Sequence, residues 1–177
     1  PDLVWIKRRR STEDHAWFDS VRGVQRQISS NLTAAGYTTT NAVSSFDSTG
    51  FTTGGNGATN SSGHTYVAWC FNAGSGNAAS NNNGTITSTV KANTAAGFSI
   101  VSYTANGTAG TTIGHGLSQA PQLIIVKHRN GTSNWPVYAT GLSAVSKYLY
   151  LNTSGGEASS SNPDEFHSTA PTSTVFS

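Results

Sequence analysis

Apolar residues in this chain come in short bursts, divided by Gly, Asn, Ser and Thr rather than spaced along one helical face. Bursts bounded by turn-formers are the strand pattern, whereas an amphipathic helix would repeat its apolar positions every three or four residues. Strands are therefore expected over residues 3–7, 17–21, 50–53, 65–72, 85–90, 97–104, 122–128, 135–138, 148–152 and 173–176. Between them fall Gly54-Gly55-Asn56-Gly57, Ser62-Gly63, Asn83-Gly84, Asn106-Gly107, Asn130-Gly131 and Ser154-Gly155-Gly156. Asn-Gly in particular favours the tight primed turns of hairpins. Helix finds room for a turn or two at most, within 21–30 or 142–147.

The pattern is also used twice. Pro1-Asp2-Leu3-Val4-Trp5-Ile6-Lys7 returns as Pro121-Gln122-Leu123-Ile124-Ile125-Val126-Lys127, and each copy runs through basic residues and a polar turn to a tryptophan, Trp17 in the first and Trp135 in the second. A period near 120 residues marks tandem modules rather than the short repeats of solenoids. Phe46-Asp47-Ser48-Thr49-Gly50-Phe51 finds its counterpart only at Thr172-Ser173-Thr174-Val175-Phe176-Ser177, which reads as a segment of a longer repetitive polypeptide. The stretch 73–83 is poorest in core-forming residues and is the natural boundary. The expected organisation is thus 1–73 closing one module, 74–94 as linker, and 95–177 opening the next. The fold class is all-β, an antiparallel β-sandwich of jelly-roll or lectin-like type. Either the two halves complete one sandwich, or neighbouring chains complete each of them.

Composition sharpens this picture. Only 10% of the 177 residues are charged while 10% are aromatic, so the chain has core material and little of the charge that keeps disordered tails solvated. A net charge of +2 is too small to imply nucleic acid as a partner. No apolar run is long enough for a helical membrane span. The single cysteine, Cys70 in Tyr66-Val67-Ala68-Trp69-Cys70-Phe71, cannot form an intrachain disulfide and is expected to be a small buried hydrophobe.

Chemistry is sparse. The closest acidic groupings are Glu13-Asp14-His15 and Asp164-Glu165-Phe166-His167. Neighbouring side chains in an extended segment point to opposite faces, so such groups rarely supply the two converging carboxylates of a glycosidase. No catalytic residue, metal site or cofactor is expected. Gly114-His115-Gly116-Leu117 lacks the ending and context of a phosphate loop and reads as a tight turn into the strand after Pro121. Candidate ligand-binding residues are the cations Arg8, Arg9 and Arg10, which follow Lys7, and the aromatics Trp17, Trp135, Tyr148 and Tyr150. Trp5 and Trp69 lie in apolar runs and are expected in the core. Tyr148 and Tyr150 share one side of a regular strand, as a binding face or a subunit interface.

Residues 1–23 (PDLVWIKRRRSTEDHAWFDSVRG), 44–51 (SSFDSTGF), 65–70 (TYVAWC), 97–103 (GFSIVSY) and 114–127 (GHGLSQAPQLIIVK) together resemble an uncharacterised domain of tailed-bacteriophage virion proteins, mainly of marine phages. The resemblance runs through nearly the whole chain. It implies a place within long virion proteins, often beside a sandwich domain of the SPRY type, in tail fibres or other surface appendages. It carries no catalytic residue onto this sequence. Where the family commonly has a polar residue after Ile6-Lys7, this chain has Arg8-Arg9-Arg10. The expected role is a structural module on the virion surface that forms homo-oligomers or binds other virion proteins and contacts the host. The alternative is a carbohydrate-binding module for host surface glycan. A polysaccharide depolymerase would require an acid pair that the sequence does not suggest.

Overall fold

The computed structural model describes residues 1–159 and 165–177. The chain divides into two compact units, one made of Pro1–Asn72 with His128–Asn134, the other of Ala73–Lys127 with Trp135–Ser177.

Unit 1 holds β1 (Leu3–Arg8), β2 (Ala16–Asp19), β3 (Arg26–Gln27), β4 (Tyr37–Thr38), β5 (Val43–Phe46), β6 (Phe51–Thr53), a four-residue helix α1 (Gly57–Asn60) and β7 (Tyr66–Phe71). Its principal sheet has the order β2-β1-β7, all antiparallel. Alternation along β1 sends Val4 and Ile6 to one face and Trp5 and Lys7 to the other. Val4 and Ile6 join Ala16 and Phe18 of β2 in a core closed from the far side by Ala42, Val43 and Ala58, with Phe46, Phe51 and Tyr66 packed around it. The β5–β6 hairpin and α1 thus form the second layer over the sheet. Burying Val4 or Phe18 contributes about 1.5–3 kcal/mol each. Asn56 caps α1 by accepting from the Ala58 N–H at 2.9 Å, and the Tyr66 hydroxyl accepts from Ser61 N–H at 2.8 Å while donating to the Gly57 carbonyl at 2.7 Å.

Unit 2 holds β8 (Ala79–Asn81), β9 (Ser88–Asn93), β10 (Phe98–Tyr103), β11 (Ile113–Gly114), β12 (Leu123–Ile125), β13 (Pro136–Ala139), β14 (Lys147–Tyr150), β15 (Ala158–Ser159) and β16 (Val175–Phe176). They form a sheet β10-β9-β8, a sheet β12-β13-β14-β15 and the pair β11-β16. Ile86, Ile113 and Phe176 make one core cluster and Tyr138, Tyr148 and Phe166 another, and Ile124 of β12 packs against both. Gly84 brings its backbone so close to the carbonyl of Thr112 that a Cβ there would fall on it. That approach lets Ile86 bridge to Ile113.

The fold is therefore all-β, antiparallel and sandwich-like. The strand register also coincides between the units. In unit 1 the pairs are Val4↔Phe18, Trp17↔Ile28 and Arg26↔Thr38; in unit 2 they are Ile124↔Tyr138, Val137↔Leu149 and Lys147↔Ser159. A side-chain clamp recurs at the same place: His15 N–H donates to Asn31 Oδ1 and Trp135 N–H to Asn152 Oδ1, both at 2.9 Å. In this register Trp17 corresponds to Val137, and Trp135 to His15, so the expected equivalence of the two tryptophans is displaced by two residues.

Other expectations need correction. Neither 21–30 nor 142–147 is helical; each is a turn leading into a short strand, β3 or β14. The expected linker 74–94 contains the whole of β8 and β9, hydrogen-bonded to each other within unit 2. Cys70 is exposed rather than buried, because β7 is the edge of its sheet.

Candidate functional site

The β1–β2 connection organises the surface of unit 1. Lys7 folds its ammonium back to donate to the carbonyls of Arg8 at 2.8 Å, Glu13 at 2.7 Å and Ser11 at 3.5 Å, so its charge is consumed in shaping the loop. Arg8 pairs with Glu13 at 3.5 Å and its guanidinium contacts the His64 ring nitrogens at 2.7 and 2.5 Å. Arg9 and Arg10 remain exposed. The four-cation run is thus half structural and half presented to solvent.

Behind this loop the sheet carries a row of tryptophans. Trp17, Trp5 and Trp69 lie directly across neighbouring strands, with ring centroids 5.0 Å apart for Trp5–Trp17 and 5.1 Å for Trp5–Trp69, tilted by 64° and 48°. Such edge-to-face and tilted contacts are the favoured aromatic geometries. Trp5 Nε1–H donates to His15 Nδ1 at 2.8 Å. That bond fixes the neutral His15 with its proton on Nε2. Burial first, then the Lys7 charge, holds the His15 pKa below its ordinary value, with Asp14 acting in the opposite direction. The row does not end in the core: Trp69 is 44% and Phe71 41% exposed, contrary to the burial expected for Trp69.

On the far side of the same loop, Glu13 and Asp14 line an open cavity of about 310 Å³ together with Gln27, Tyr37, Thr39, Asn56, Gly57 and Ala58. Tyr37 is 48% exposed, while Gln27 is 2% exposed and accepts from the Thr39 hydroxyl at 3.2 Å. Asp14 accepts from Asn31 Nδ2 at 2.7 Å. The three neighbours Glu13-Asp14-His15 are therefore split, two toward a polar cavity and one onto the tryptophan row. The two carboxylates are each committed to a neighbouring side chain. Among the described residues, no three His, Cys, Asp or Glu side chains converge as a metal site would require. No helix among them is long and apolar enough to cross a membrane.

The remaining candidates belong to unit 2. Trp135 is 1% exposed, so its ring is shut away from solvent. Tyr148 is buried in the cluster with Tyr138 and Phe166. Tyr150 packs on Tyr148 with ring centroids 5.2 Å apart, their hydroxyls at 3.4 Å, and donates to Glu165 at 3.2 Å. Its pKa is pushed far up, chiefly by the Tyr148 hydroxyl, then by burial and the Glu165 charge. The pair does share one side of its strand, as its alternation predicts, but that side faces inward for Tyr148. Asp164, of the second acidic grouping, lies outside the described residues. His115 is a buried turn histidine: Nδ1 accepts from the Leu117 N–H at 3.1 Å and Nε2 reaches the Thr172 carbonyl at 3.2 Å. Its pKa is lowered by burial.

Sequence reasoning did not single out Gln27, Thr39 and Asn56. Gln27 and Thr39 sit in polar segments without motif or periodicity, Asn56 is marked in the sequence only as part of a turn, and the pairing of β3 with β4 brings Gln27 and Tyr37 opposite each other.

Fold and site define an antiparallel all-β module with an aromatic row that emerges at a sheet edge and, separately, a polar, open cavity. The chain belongs to the family described as a domain of unknown function, DUF7483, whose model matches residues 1–177. No curated protein and no solved structure matches it.

Proposed function

We propose that this chain is a non-catalytic structural module of a phage virion appendage, of tail-fibre or capsid-decoration type, displayed on the virion surface, where it assembles with neighbouring copies and touches the host. The observation that carries this reading is the emergence of Trp69, a large apolar side chain 44% exposed, on the sheet-edge strand β7. A large exposed aromatic on an edge strand favours association. The register shared by the two units supports reading them as copies of one module, as appendages built from serial repeats would contain. Weak contacts repeated along such an assembly gain strength through effective concentration. Sedimentation velocity over a wide concentration range tests the reading, with self-association expected; a chain that stays monomeric at every concentration contradicts it.

A second reading is favoured by the cavity. The exposed Tyr37 ring beside Gln27, Thr39 and Asn56 offers a stacking face with polar groups around it, the combination that binds a sugar. On this reading the module is a carbohydrate-binding one, and Arg9 and Arg10 add salt-sensitive attraction to acidic polysaccharide. Binding to a panel of bacterial surface polysaccharides, compared between the native chain, Tyr37→Ala and Arg9→Ser/Arg10→Ser, tests it. Loss on Tyr37→Ala supports a sugar site in the cavity, and binding unchanged in both variants removes the reading.

A further inference from the structure

The two units share a register but differ by one strand. In unit 1, Arg9 N–H donates to Thr65 O and Ser20 N–H to Asp2 O, both at 2.8 Å, so the odd-numbered residues of β1 turn their backbone toward β7 and the even-numbered ones toward β2. Unit 2 repeats the second half of this arrangement: Thr140 N–H donates to Gln122 O and Val126 N–H to Pro136 O, both at 3.0 Å. Leu123 and Ile125 therefore turn their N–H and C=O groups to the outside of the sheet, where Leu3 and Trp5 of β1 meet Phe71 and Trp69. No strand among the described residues pairs with that outer edge of β12. Leu123 is 59% exposed, the most exposed large hydrophobic side chain described.

The strand that would fit has an open side of its own. Along β7, Val67, Trp69 and Phe71 are engaged with β1, so Tyr66, Ala68 and Cys70 direct their backbone outward. Ala68 and Cys70 are small and exposed, which leaves space for larger neighbours. We propose that the outer edge of β12 is the docking site for strand β7 of a second copy of this chain, added antiparallel so that copies join head to tail. The occupant is argued from unit 1, where the β1 edge in the same register already accepts this strand. Leu123 and Ile125 then lie beside Ala68 and Cys70, large against small, and the unpaired backbone groups of both edges are satisfied. A contact between different surfaces of identical chains is heterologous and produces a ring or an open fibre. With only three residues in β12, each joint is weak, which suits a multivalent array. The inference rests on the reading of the chain as an assembling module and names the surface involved.

The test uses sedimentation velocity in reducing buffer, from micromolar to millimolar chain, with far-UV circular dichroism as the check on folding. Leu123→Lys places a charge on the β12 edge at a side chain already in solvent. Ala68→Pro removes an outward N–H of β7, and Cys70→Arg replaces it if proline disturbs the fold. Each variant alone is expected to weaken association at least tenfold. Mixing Leu123→Lys with Ala68→Pro restores a single joint and yields a one-to-one pair that cannot extend. Association undiminished by Leu123→Lys, or a mixture that forms no pair, overturns the edge assignment and leaves the assembling module standing. A native chain monomeric throughout overturns both.

Discussion

Truncating Trp69 to alanine separates a surface aromatic from a core one in the same chain. A little over half of Trp69 is buried, and its ring packs on Trp5. Taking about 200 Å² for a full tryptophan side chain and about 25 cal/mol per Å², the lost burial is worth at most about 3 kcal/mol, an upper bound because the unfolded chain also buries some of it. The tilted contact with Trp5 adds about 0.5–1.5 kcal/mol. Edge position allows water to fill the vacated space without leaving a cavity, so the net cost is expected near 1–3 kcal/mol. Trp135→Ala, at a position 1% exposed, leaves a void and is expected to cost about 3–5 kcal/mol. Urea denaturation followed by circular dichroism and tryptophan emission measures both. If Trp69→Ala proves as costly as Trp135→Ala, Trp69 is a core residue and the reasoning from its exposure fails.

The neutral His15 that accepts from Trp5 contributes stability that is present above the ordinary histidine value of 6.5 and is lost as pH falls through the lower value of the folded state. Acidification in that window should change the Trp5 emission and shift the His15 ring resonances together; a His15 titrating at its ordinary pKa contradicts the bond. Gly84→Ala forces a methyl onto the Thr112 carbonyl and should lower unit 2 stability by more than about 1 kcal/mol, whereas Gly55→Ala, with open space around it, should not. Comparison of their melting temperatures checks this, and equal behaviour would refute the close approach.

Legibility followed the physics of each element. The bursts at β1, β2, β7, β10 and β13 were readable because two or more large apolar side chains mark each of them. By contrast, β3, β8, β11 and β15 are two or three residues long, and segments such as Ala79-Ser80-Asn81 become strands only through the partner beside them. Tyr66-Val67-Ala68-Trp69-Cys70-Phe71 is apolar on both faces, the mark of a central strand, yet it sits at an edge; its position in the sheet is a tertiary fact that periodicity does not encode. That is why Cys70 and Trp69 turned out exposed. The tryptophans at 17 and 135 match by letter, but the paired residues of the two hairpins are equally far apart in sequence, Val4↔Phe18 and Ile124↔Tyr138, so the hydrogen-bond register sets Trp135 in the place of His15. Of the candidate site, the loop at 8–15 and Trp17 were visible in the sequence. Gln27, Thr39 and Asn56 were not, since their convergence on the cavity depends on contacts between distant segments.

The central claim is that two sheets share one register and that one of them lacks a neighbour the other has. Residue-resolved amide hydrogen exchange on dilute chain tests this most directly, because buried ladder bonds slow exchange and open edges do not. The amides of Trp5 and Lys7, covered by β7, should be protected, while those of Leu123 and Ile125 should exchange freely and slow only as concentration rises. Protection of Leu123 and Ile125 in the monomer, or rapid exchange at Trp5, would contradict the account.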